Sequence, residues 1–406
     1  MNEVAELFFK ERPVGTAANH EVNDFLEARF RGMGYSVQSL PFDCLTWKHG
    51  KSVLKIGRLS VAVEPGPFSE PFAGNGKLAI VKTMEALQQV TCDKQILILA
   101  GKLTGTPLLP KNYPFYYPDE HKNLITLLEQ KAPKAIIAVT GKNPLNGSDP
   151  FPLFEDGNFL IPSGNIREQS LGEIEAGMGI DEVASLTIDS NKTPAQSRQI
   201  VAAKKVEKPA GKIIIAAHMD SKYNTPGALD NAAGVAVLLQ VAEALRLKIT
   251  TYDIDFVPFN SEEYFGADGE LKYLELLERE NANIVLMVNI DSPCHKGSET
   301  AISLYHVGED MRKVMEQVMA GNDHIVSGDQ WYAGDHAPFA FRGIPCMAVT
   351  SSDFFSGALE YTHTPEDTLS TVSPEMIEPA ARYLADVVSA LSLFAEKLVD
   401  KEIRRA

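Results

Sequence analysis

The chain has 406 residues, more than one ordinary core supports, so two domains are expected. Its composition, 44% apolar and 23% charged, is that of a globular protein, and no apolar run approaches the length of a membrane span. A formal charge of −16, with no Lys/Arg cluster longer than a pair such as Lys204-Lys205, argues against nucleic acid and anionic membranes as partners.

The N-terminus, MNEVAELFFKERP, is acidic and lacks the apolar core of a signal peptide. Residues 1–45 read as helix, helix, strand, with helical spacing over Asn23–Arg31 closed by Gly32 and Gly34. From 47 to 190 Gly and Pro become frequent, and short strands alternate with loops: Lys77–Lys82, Gln95–Ala100, Ala135–Val139 and Leu186–Ile188. A helix is expected at Asp119–Lys131 between two buried strands, so this stretch reads as a smaller inserted α/β domain. From 191 to 406 strands alternate with helices. The strands are Gln199–Val206, Lys212–Ala217, Ile254–Phe259, Ile284–Ile290 and Cys346–Val349. The helices are Asn231–Leu247, Gly269–Arg279, Asp310–Ala320 and Pro374–Leu398, the last with apolar positions from Ile377 to Leu398. Such alternation predicts an α/β fold, a doubly wound and mostly parallel sheet flanked by helices. Pro258 inside DIDFVPFN resists this pattern, because proline is poorly tolerated in a central strand; the strand either ends there or is bulged. Four scattered cysteines, Cys44, Cys92, Cys294 and Cys346, form no CxxC pair and fit reduced thiols, so a cytoplasmic location is expected.

In open α/β sheets the binding crevice lies beyond the carboxyl ends of the strands. Acids and histidines stand at those ends here: His218 and Asp220, Asp230, Glu262 and Glu263, Asp291, and later His363. As bare groups they would repel one another, whereas two divalent cations convert repulsion into coordination. His218, Asp230 and Asp291 are assigned to one ion, and Asp230, Glu263 and His363 to the other. One imidazole with carboxylate oxygens at each ion suits Zn2+, with cobalt or manganese as substitutes. A carboxylate shared between the ions suits a separation of roughly 3.5–4 Å. Two ions balance three carboxylates and one hydroxide. Neighbours on an extended chain point in different directions, so with Glu263 as ligand Glu262 faces the water as general base. Asp220 is expected to orient the His218 imidazole.

His-x-Asp, Asp-Asn-Ala-Ala-Gly, Glu-Glu, Asp and His-Thr-Pro-Glu-Asp-Thr, in this order, resemble the M28 family of co-catalytic zinc peptidases, mostly aminopeptidases. The likeness covers roughly Arg198–Leu398, with a weaker echo in RPVGTAANHEVNDFLEARFRGMGYSV. It implies a zinc exopeptidase fold and a cis peptide after Asp230. The segments KLAIVKT, KAIIAVTG and FLIPSGNI are similar to a protease-associated domain. Many members carry a Tyr directly before the last His; Thr362 stands there in this chain and Tyr361 one residue earlier. GDHAPFAFRGIP resembles the segment before the last strand, and offers Asp335 and His336 near the same rim, so Tyr361 and His336 are candidate oxyanion contacts.

The resulting expectation is a peptide-cleaving exopeptidase, most simply an aminopeptidase acting through a metal-bridging water. Three rivals stand beside it: a single-zinc glutaminyl-cyclase-like acyltransferase, a non-enzymatic receptor-type relative, and a carboxypeptidase. Peptide is the expected partner; the oligomeric state is open.

Overall fold

A computed structural model describes residues 10–177 and 183–403, and the side chains of these up to residue 397. The first expected N-terminal helix and the side chain of Leu398 fall outside the described residues. The chain divides into two compact units, one of residues up to 43 with those from 196 onward, the other of residues 44–195. Both boundaries fall inside long strands, β1 (Ser36–His49) and, later in the chain, a strand at Ser190–Lys204.

The middle unit is a closed seven-stranded barrel. Its strands are β2 (Ser52–Ile56), β3 (Leu59–Pro65), β4 (Phe72–Val81), β5 (Gln95–Leu99), β6 (Ala135–Thr140), β7 (Ser163–Arg167) and β8 (Val183–Ile188), in the order β2-β3-β7-β6-β5-β4-β8. Successive side chains on a strand point to opposite faces. Ile96, Ile98 and Ile137 thus pack with residues of every barrel wall. Their neighbours Leu97, Leu99 and Ile136 pack outward against Leu124, Ile125 and Leu128 of the helix Asp119–Lys131. Burial on both faces explains why β5 and β6 read as continuous apolar runs.

The other unit is built on an eight-stranded sheet. Its remaining strands are β9 (Ser190–Lys204), β10 (Lys212–His218), β11 (Asp253–Phe259), β12 (Ile284–Ile290), β13 (Thr300–Tyr305), β14 (Ile325–Ser327) and β15 (Cys346–Ser351). The order is β1-β9-β11-β10-β12-β15-β13-β14. The four central strands β11, β10, β12 and β15 are parallel, while β9 joins β11 and β13 joins β15 antiparallel. The sheet is therefore mixed, parallel where the carboxyl ends gather, antiparallel where β9 and β13 join, and parallel again between β13 and the edge strand β14. Pro258 lies within β11 and pairs with Ala217. Pairing of β11 to β9 runs only through Phe256. Beyond it the Gln199 side chain replaces backbone, donating to Pro258 O (2.9 Å) and accepting from Asn260 N (2.9 Å).

The helix Ala233–Leu245 packs against the sheet and the long helix Ile377–Ile403. The segment Ala228–Leu245 is apolar and long enough to cross a membrane, yet 78% of it is buried inside the protein. All four cysteines are buried.

Candidate metal centre

The parallel strands deliver the site. β10 ends in His218, and Met219 N extends its pairing by donating to Phe259 O (2.7 Å). Glu262 and Glu263 follow β11, Asp291 follows β12, and His363 arrives on the loop after β15. The turns that re-aim the chain are conformationally unusual, with positive φ at Ser261 (138°), Ser292 (48°) and His363 (60°). Backbone of this kind persists only where its surroundings fix it, and it clusters at functional sites. The Asn231 amide joins two of these segments, donating to Ile290 O (2.7 Å) and accepting from Ser292 N (3.2 Å). The Asp230–Asn231 peptide is cis.

The five residues assigned to metal come together. His218 Nε2 lies 3.0 Å from Asp230 Oδ1 and 3.6 Å from Asp291 Oδ1. His363 Nε2 lies 3.3 Å from Asp230 Oδ2 and 3.0 Å from Glu263 Oε1. Asp230 thus gives one oxygen to each histidine. In the groups His218–Asp230–Asp291 and Asp230–Glu263–His363, the ligating atoms lie within 4.8 Å of one another.

The cluster is short of positive charge. Burial alone would lower both imidazoles, yet Asp230 and Asp291 raise His218 well above its ordinary range. Glu263 and Asp230 likewise bring His363 up to about 10. Burial would raise Asp230, but the two histidines pull it far below the usual carboxylate range. Asp291 and Glu262 are pushed up by burial, and acidic neighbours add to the effect. The close carboxylates draw protons onto both imidazoles. Divalent ions would replace them, and the donor set of imidazole nitrogen and carboxylate oxygen fits zinc.

The remaining expected residues are placed unequally. Asp220 is fully buried and faces His218 Nδ1 at 3.8 Å, beyond hydrogen-bond reach. Its other oxygen accepts from Glu263 N (3.1 Å), so it also holds the backbone of the Glu-Glu turn. Glu262 is partly exposed. Tyr361 is 39% exposed, with its ring against His295, whose Nδ1 lies 2.8 Å from Asp353 Oδ2. His336 is not at the rim: it is fully buried, its Nε2 bonded to Trp331 O (2.8 Å) and its Nδ1 set against the Asn289 amide (3.4 Å). Burial holds it down to about 4, a neutral structural ring rather than an oxyanion contact. Asp335 is buried too; burial and the neighbouring Glu270 push it well above the usual carboxylate range, and burial lifts Glu270 to about 8.

Three charged residues escaped the sequence reading. Lys222 Nζ lies 3.3 Å from Glu263 Oε2, the oxygen turned away from His363. Arg12 is fully buried close to the acids; burial brings it down to about 10, so it stays cationic. Asp367 is buried and takes the amides of Leu229 (2.7 Å) and Asp230 (3.0 Å). Arg12 and Asp367 both lie inside the stretches that carry the family resemblance, which was the available signal.

Residues 199–388 match the model of Peptidase family M28. The chain is 30% identical over 258 residues to aminopeptidase YwaD of Bacillus subtilis, covering 59% of this chain and 55% of that protein. It is 24% identical over 296 residues to the probable lipoprotein aminopeptidase LpqL of Mycobacterium tuberculosis, covering 72% and 56%. The chain thus spans about half the length of the curated relatives it matches. Its fold is similar to an aminopeptidase from Aneurinibacillus, with TM-score 0.76 and 22% identity over 95% of this chain and 92% of that one. A zinc aminopeptidase from Bacillus subtilis gives TM-score 0.71 at 21% identity, over 95% and 93%.

Proposed function

We propose that this chain, which carries a peptidase family M28 domain over residues 199–388, is a metal-dependent aminopeptidase that removes N-terminal residues from peptides. The observation that carries the reading is Asp230, whose two oxygens face two separate histidine groups. On this reading His218, Asp230 and Asp291 hold one divalent ion, and Asp230, Glu263 and His363 hold a second. Bound there, the ions supply Lewis acidity towards a peptide carbonyl and towards water.

The protein's own residues supply proton handling and orientation. The Glu262 carboxylate makes no hydrogen bond or ion pair among the described residues and is partly exposed, so it can take a proton from water and return it to the leaving amine. Asp220 fixes the Glu-Glu turn from behind through Glu263 N. Tyr361 is the exposed hydroxyl nearest in sequence to His363, and we assign it to the developing oxyanion. The surplus of acid favours a substrate that presents a cationic α-amine over one that presents a carboxylate. Arg12 offers no counter-argument, because its guanidinium is spent on backbone carbonyls. We read the barrel of residues 44–195 as a protease-associated-type insertion, on the strength of its sequence pattern.

The test is turnover of aminoacyl-arylamides and dipeptides with and without chelator, together with counting of bound metal. The reading expects chelator-sensitive release of N-terminal residues. Metal-replete protein that cleaves nothing on such a panel, or that cyclises an N-terminal Gln with one ion bound, contradicts it.

A further inference from the structure

We infer that Arg12 and Asp367 are positioning residues that together hold segment 219–230 and thereby set the placement of Asp230 against His218. This inference rests on the metal-dependent reading above.

The Arg12 guanidinium is a planar fork of donors, and here it meets backbone carbonyls. Nε donates to Met219 O (2.6 Å), Nη1 to Pro226 O (2.7 Å) and Nη2 to Gly227 O (2.9 Å). The Arg12 backbone N donates to Ser221 Oγ (3.0 Å), which in turn donates to Thr225 O (3.1 Å). One buried cation therefore ties the start of the segment to its far turn. Gly227 makes the approach possible. Its φ is +66°, and a methyl there would lie 3.2 Å from Arg12 Nη1 and 2.6 Å from Asp230 O.

Asp367 does the converse with amides. Its Oδ1 accepts from Leu229 N (2.7 Å), its Oδ2 from Asp230 N (3.0 Å), and its main-chain O from Ala228 N (3.3 Å). Bonds from amides to an ionised carboxylate are about twice as strong as neutral ones. The segment's carbonyls thus face a cation and its amides face an anion, which fixes the orientation of the peptide planes at both ends. Asp230 must divide its oxygens between His218 and His363, so a rotation at 229–230 would move it off both.

The experiment compares the full-length wild type with Arg12→Lys, which keeps the charge and loses the fork, and Asp367→Asn, which is nearly isosteric. Zinc affinity is read by chelator competition, with kcat, KM and cooperative unfolding measured alongside. Outer residues that hold metal ligands typically change affinity or activity about 10–100-fold. We expect folded variants with zinc affinity and kcat both down by about tenfold or more, and KM little changed. Folded variants with wild-type zinc affinity and kcat overturn the inference. Should either fail to fold, Thr371→Val carries the test. It removes the hydroxyl that donates to Thr368 O (2.7 Å) and lies 3.4 Å from Asp367 Oδ1, so it loosens the loop that carries Asp367; a several-fold loss of zinc affinity supports the grip whereas none overturns it. A wild type that binds no zinc sinks the aminopeptidase reading itself, a result distinct from unaffected variants.

Discussion

At the scale of single residues, the site separates groups that face one another from those that stand free. Asp230, Glu263, Asp291, His218 and His363 lie against each other, while Glu262 makes no hydrogen bond or ion pair among the described residues. Replacing Glu262 by Gln should leave bound metal unchanged and lower kcat by about 10²–10⁴-fold, the usual contribution of a positioned acid–base group. Wild-type rates with full metal content would remove its assigned role. At the opposite end of the strand that delivers His218, Lys212 is another buried charge. Its Nζ meets Asp255 Oδ2 at 2.6 Å and Glu280 Oε2 at 2.7 Å, and Tyr273 donates to the same Asp255 oxygen (3.0 Å). Removing one partner of a buried pair strands the other. Lys212→Met should therefore destabilise the fold by about 3–5 kcal/mol in chemical denaturation, against less than about 1 kcal/mol for an exposed pair such as Lys313–Glu309.

At the scale of elements, the central strands were readable because both of their faces are buried. KIIIAAH, IVLMVNI and CMAVTS carry almost no outward polar position to blur the pattern. The metal-facing residues were readable for a related reason, since charge at the end of such a run is conspicuous. Less was legible where burial alternates. β2 and β3 alternate buried and open positions and lie among Gly and Pro, so neither stood out, and closure into a barrel depends on partners far along the chain. The grip of Arg12 on residues 219–227 was invisible for the same reason: nothing local marks an arginine that will meet carbonyls from a distant loop. Pro258 was flagged as a misfit, and its accommodation depends on Gln199 standing in for a strand. Gln199→Leu would leave Asn260 N and Pro258 O without these partners in a dry interior. Unfolding free energy should fall by about 1–3 kcal/mol, and a neutral result would mean that another group satisfies them.

At the scale of the whole molecule, the charge of −16 includes a set of carboxylates gathered at the carboxyl ends of the central strands. Ions that bind the folded state and not the unfolded chain stabilise it by mass action, about 2.7 kcal/mol at a hundredfold excess over the dissociation constant. Chelation should therefore lower the unfolding midpoint, and added zinc should restore it. An unfolding midpoint indifferent to chelator would mean that protons on His218 and His363 suffice to balance the acids. The most direct measurement of the central claim is anomalous diffraction at the zinc edge from crystals supplied with the metal. The account predicts two peaks, one beside His218 and Asp291 and one beside Glu263 and His363, with Asp230 between them. A single peak, or density for solvent alone among these five side chains, would contradict it.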